Sequence, residues 1–107
     1  MPVKELVFTD PTTQNRIELV RLIDCQATLE RVALTDNDPG VRESAVKKVL
    51  SDTVLREIAV LDKDKWVRYF ALERVAYDKE FLLKVAKHDS NNTVRMLAIK
   101  RFSNQNK

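Results

Sequence analysis

Glycine is nearly missing from this chain: one residue in 107, beside three prolines. That scarcity argues against long loops and against Gly-rich phosphate-binding turns. A single cysteine, Cys25, excludes an intramolecular disulfide framework and an all-cysteine metal site. No apolar run nears the ~20 residues that cross a bilayer. The first ten residues also lack the basic and then apolar segments of a secretory leader, so a cytoplasmic protein without a membrane partner is the expectation. Charge of one sign is in short supply too: 19 basic against 16 acidic residues leave a net +3. Such an excess permits an acidic partner or nucleic acid without demanding either. The length allows one domain, residues 1–107, with the modest core of a small fold.

What is present is repetition. Asp10, Asp36, Asp62 and Asp89 are 26, 26 and 27 residues apart. Six residues after each stands an arginine: Arg16, Arg42, Arg68 and Arg95. Two residues after each aspartate comes a side chain suited to cap a helix, namely Thr12, Asp38, Asp64 and Asn91. Apolar positions follow in register. Leu19, Ala45, Ala71 and Ala98, then Val20, Val46, Leu72 and Ile99, then Ile23, Val49, Val75 and Phe102 form the stripe of an amphipathic helix.

This helix A is predicted over Thr13–Asp24, Pro39–Leu50, Lys65–Ala76 and Asn92–Phe102. A second helix, B, is predicted over Thr28–Leu34, Thr53–Leu61 and Glu80–Lys87, with Asp52 and Asp78 as caps. Helices this short are marginal alone, so each pair depends on stacking against its neighbours to bury one continuous core. Val7 and Phe8, ahead of the first unit, are expected to cap one open end. The fold class is therefore all-α: about three and a half helical hairpins, over residues 10–35, 36–61, 62–88 and 89–107.

The stretch Asp36-Asn37-Asp38-Pro39-Gly40-Val41-Arg42-Glu43-Ser44-Ala45-Val46 recurs as Asp62 to Leu72 and as Asp89 to Ile99. It resembles the HEAT-like class of α-solenoid repeats and, in its short period, the leucine-rich-repeat variant. The resemblance covers Asp10 to Phe102 and implies a right-handed superhelix of alternating helices. One context in which such variant repeats occur includes an iron–sulfur cluster. A lone cysteine cannot supply its ligands, and no cofactor is expected. The first unit departs from the pattern, with Asn15 for valine and Leu19 for alanine, as suits an end repeat.

Three groups of residues are candidates for function. The arginine ladder reads either as a cationic stripe or as an internal device, each arginine pairing with aspartates of its own or the neighbouring turn; recurrence once per unit favours the second. Lys47, Lys48, Arg74, Lys100 and Arg101 should lie along one exposed edge of helix A, interrupted by Glu73, and form either a solvated face or a phosphate-binding row. Trp66, Tyr69, Phe70, Met96 and Leu97 make the later units more apolar than the second, which has Gly40, Glu43 and Ser44 there. They serve either as interface anchors or as a lid on the open end of the core, where a homodimer could form.

Cys25 and His88 have no partner at metal-ligand or catalytic spacing. No serine-nucleophile signature or phosphate loop appears. The resulting expectation is a non-enzymatic module that binds a protein or peptide, with a nucleic-acid-binding solenoid as the second reading.

Overall fold

The computed structural model describes residues 2–104, and every regular element within them is an α-helix. In chain order these are α1 (Val3–Thr9), α2 (Thr13–Arg21), α3 (Gln26–Thr35), α4 (Pro39–Val46), α5 (Asp52–Leu61), α6 (Lys65–Arg74), α7 (Lys79–His88) and α8 (Asn92–Asn104). The even-numbered helices are the A helices of the repeat. The B helices are α3, α5 and α7. Helix α1 comes as an addition: seven residues with no side-chain cap leave too little pattern to read as a helix. It lies where a B helix would, with Val7 fully buried and Phe8 at the surface under the Arg31 guanidinium, 4.1 Å from its ring centre.

Asp38, Asp64 and Asn91 cap their helices as their side chains predict. Asp38 accepts from the Gly40 and Val41 amides at 2.7 and 3.3 Å, Asp64 from Trp66 and Val67 at 2.8 and 3.1 Å, and Asn91 from Thr93 and Val94 at 2.8 and 3.2 Å. Two expected caps differ. Thr12 makes no side-chain cap bond. Asp52 is inside α5; the cap is Ser51, whose Oγ accepts from the Val54 amide. The A helices α2, α4 and α6 also end early, α4 at Val46 rather than Leu50. The Lys48 amide there turns to the Ala45 carbonyl, a tightening of the last turn that lets the chain cross to the next layer.

Contact is most extensive between each B helix and the A helix that follows it: α3 with α4, α5 with α6, and α7 with α8; α1 packs on α2 in the same way but less extensively. The A helices also lie close along α2–α4–α6–α8, where Ala45, Ala71 and Ala98 are fully buried. Small side chains at such contacts let helices approach. The B helices touch their like neighbours much less. The layers are thus wedge-shaped, with the A row on the narrow side, in a stack 49 × 22 × 17 Å.

The ladder joins the layers. Arg16 donates through Nε and Nη2 to the two carboxylate oxygens of Asp36, at 3.0 and 3.3 Å, and through Nη1 to the Asp10 carbonyl at 3.0 Å. Arg42 repeats this with Asp62 (2.9 and 3.1 Å) and the Asp36 carbonyl (2.7 Å). Arg68 does so with Asp89 (2.9 and 3.1 Å) and the Asp62 carbonyl (2.9 Å). The receiving carboxylates also accept the amides of Asp38, Asp64 and Asn91 at 2.8 to 2.9 Å. Each therefore fixes the cap residue that starts the next A helix. The three arginines are buried and bidentate, an internal device rather than a surface stripe.

Removing one partner of a buried pair strands the other without solvent. Arg42→Ala is expected to cost about 3 kcal/mol in urea unfolding. Arg95→Ala, which leaves no carboxylate stranded, should cost about 1 kcal/mol.

Candidate partner-binding face

The basic edge divides into two sets. Lys48 turns its ammonium onto the carbonyls of Val20, Arg21 and Ile23, at 2.9, 3.1 and 2.6 Å. Arg74 donates to the carbonyls of Val46 and Val49. Arg101 donates to those of Leu72 and Val75, both at 2.8 Å. Each thus clamps the C-terminal end of the preceding A helix, where unpaired carbonyls and the negative end of the helix dipole attract a cation. This corrects the expectation of one exposed row: Lys48, Arg74 and Arg101 are half-buried in structural bonds. Only Lys47 and Lys100 point outward. Lys47 pairs with Glu43 at 3.3 Å, and Lys100 has no partner among the described residues. Leu22 stands at the clamp position that follows α2, and no A helix precedes α2 among the described residues.

The aromatic residues do come together. Trp66, Tyr69 and Phe70 occupy positions i, i+3 and i+4 of α6, hence one helix face. Their rings sit edge to face: Trp66 to Tyr69 at 5.4 Å, Tyr69 to Phe70 at 5.5 Å, with Trp66 to Phe70 tilted at 6.4 Å. Tyr69 and Phe70 rest on the core, while Trp66 is 45% exposed. The ammonium of Lys47, the residue that follows α4, lies 4.6 Å from the Phe70 ring centre, and Lys65 lies 6.0 Å from that of Trp66. Met96 and Leu97 hold the register positions of Tyr69 and Phe70 one layer on, in α8. Leu97 packs on the core and Met96 is 47% exposed. The five residues lie along the narrow A row, with Trp66 and Tyr69 lining a small crevice opposite Asn91, Thr93 and Val94 at the start of α8.

A further bridge escaped the sequence reading. Arg56 donates to Asp52 at 2.7 Å within α5 and to Asp78 at 3.0 Å in the next layer. Asp52 also accepts the Ala76 amide at 2.6 Å. Gln26, one repeat earlier, plays the same part, accepting the Leu50 amide and donating to the Lys48 carbonyl. Gln26 and Asp52 stand 26 residues apart, so the period held the signal. The Ala76 amide and the Arg56 guanidinium hold the Asp52 carboxyl below its ordinary range. The Phe81 amide and Arg56 do the same for Asp78, and the two carboxylates raise Arg56. Cys25 and His88 are exposed. Hydrogen bonds from Thr28 lower the Cys25 thiol.

Folded-state values below the ordinary carboxylate value of about 3.9 stabilise the fold above that pH, and the gain is lost as pH falls through the lowered values. Asp52 and Asp78 are partly exposed, so solvent screens the effect. An Asp52→Asn, Asp78→Asn double variant is therefore expected to lose less stability than the wild type as pH drops from about 5 to 2, read by thermal melts at each pH. Parallel loss in the two proteins would show that the bridge contributes nothing.

Neither family models, curated proteins nor solved structures give a match to this chain.

Proposed function

We propose that the chain is a non-enzymatic HEAT-like repeat module that holds a protein or peptide on the A-row face of α6 and α8. The observation that carries this reading is the cluster Trp66–Tyr69–Phe70: three rings supporting one another, two anchored on the core, one left substantially open. A rigid aromatic surface loses little entropy on binding and supplies the anchors on which interface energy concentrates. Lys47, Lys65 and Lys100 lie around it or in register with it, so the favoured partner pairs an apolar or aromatic side chain with nearby carboxylates. The nucleic-acid reading loses support at the clamps. Three of the five cations it relied on are engaged with backbone carbonyls, which leaves Lys47 and Lys100 of that edge for phosphate contact.

Peptides selected on the wild type from a random display library provide the test. They should carry acidic and apolar residues together and bind a Trp66→Ala, Tyr69→Ala variant at least about tenfold more weakly, a loss of ~1.4 kcal/mol. Equal affinity for both proteins would sink the proposed surface. A gel shift with single- or double-stranded nucleic acid is expected to be absent even at low salt, and a steeply salt-dependent shift would restore the second reading.

A further inference from the structure

The ladder is complete at three junctions and open at both ends of the stack. At one end, Arg95 donates through Nη1 to the Asp89 carbonyl at 2.8 Å, as its counterparts do, and reaches Asn92 at 3.4 Å. No carboxylate among the described residues meets it. At the other end, the Asp10 carboxylate accepts the Thr12 amide at 2.8 Å, as Asp36, Asp62 and Asp89 accept theirs. No guanidinium among the described residues reaches it; Asn15 makes only long contacts of 3.3 and 3.4 Å. One end therefore presents the donor half of the repeated bond and the other end the acceptor half, already organised by its turn.

The apolar surfaces match in the same way. Ile99 takes the position at which Val20, Val46 and Leu72 are fully buried, yet it is 43% exposed. Phe102, at the position of the buried Ile23, Val49 and Val75, is only partly covered. On the opposite end α2 presents Leu22, 68% exposed, at the clamp position. A cation there would be needed only over a helix that stops. Helix α2 ends at Arg21, α4 at Val46 and α6 at Arg74, each within one residue of the corresponding point, whereas α8 continues to Asn104. Its backbone at Ile99 is still helical, and a leucine suits that contact better than a lysine.

We infer that a second copy of this chain docks its Asp10–Thr12 turn and α2 against α8, continuing the stack head to tail through an Arg95–Asp10 pair and a Leu22–Ile99–Phe102 contact. Charge argues against two α8 ends meeting face to face. Helix α8 carries Arg95, Lys100 and Arg101 and no acidic residue, so that arrangement would set like charges together. The operation is heterologous and does not close a dimer. The 22 × 17 Å cross-section limits each contact to the small end of protein interfaces, so association is weak and grows with concentration.

Sedimentation velocity over the micromolar to millimolar range reads this directly. Wild-type mass should rise with concentration and pass that of a dimer. Leu22→Lys and Ile99→Lys, both substitutions at exposed positions, should each stay monomeric with unchanged circular dichroism. Mixed in equal amounts, they should form a one-to-one pair and no larger species, since each retains one working end. Arg95→Ala should weaken wild-type association by about tenfold. A wild type that stays monomeric, or that stops at a dimer which Leu22→Lys still forms, overturns the proposal. Neither result touches the aromatic face of α6, which peptide binding tests separately.

Discussion

The stack depends on one bond: a guanidinium held by the carboxylate of the next layer and the carbonyl of its own. Each inner Asp serves both neighbours at once. The Asp36 carboxylate receives Arg16 while its carbonyl receives Arg42, and the same carboxylate fixes the amide of the cap Asp38. A layer therefore cannot slide without breaking bonds to both sides. Desolvation consumes much of the gain from such buried pairs, so their larger effect is on register. The third unit shows this. Its pair is separated by 21 residues instead of 20, yet Arg68 and Asp89 meet at 2.9 Å, as Arg42 and Asp62 do. The extra residue is absorbed elsewhere in the unit.

The opposite ends of α2, α4 and α6 are held by a different chemistry. An A helix stops early, its last carbonyls face the next layer, and a lysine or arginine from that layer closes over them. The two systems act at the two ends of the A helix, one near its N-terminal caps and the other on its C-terminal carbonyls. What they leave unconstrained is the outward face between them. That face holds Glu43 and Ser44 in α4 but Tyr69 and Phe70 in α6, with Trp66 added at the helix start.

Much of this was legible in the sequence because a repeat states its rules several times. The Asp, Arg and Ala positions recur, and each recurrence constrains the reading of the others. The inward direction of Lys48, Arg74 and Arg101 was harder to see. A cation that binds carbonyls looks, residue by residue, like one that faces water; only its absence from the first unit, at Leu22, marked it as a bond to a preceding layer. Helix α1 left no periodic trace because seven residues give barely one apolar turn. Ser51 and Asp52 adjoin at the start of α5, and only three-dimensional contact with Ala76 separates a cap from an interlayer bridge.

A regular array also implies where function can reside. Residues that recur in every unit are committed to holding the units together, and the structure accounts for them through hydrogen bonds and burial. A partner that recognised only those features could not distinguish one layer from the next. Specific recognition requires a departure from the repeat that leaves the repeat intact. Trp66, Tyr69 and Phe70 are such a departure: they change the outward face of α6 while Arg68, Ala71 and Leu72 on the same helix keep the ladder and the core unchanged. The structural rules thus fix the position of α6, and the side chains those rules do not use give that position its chemistry.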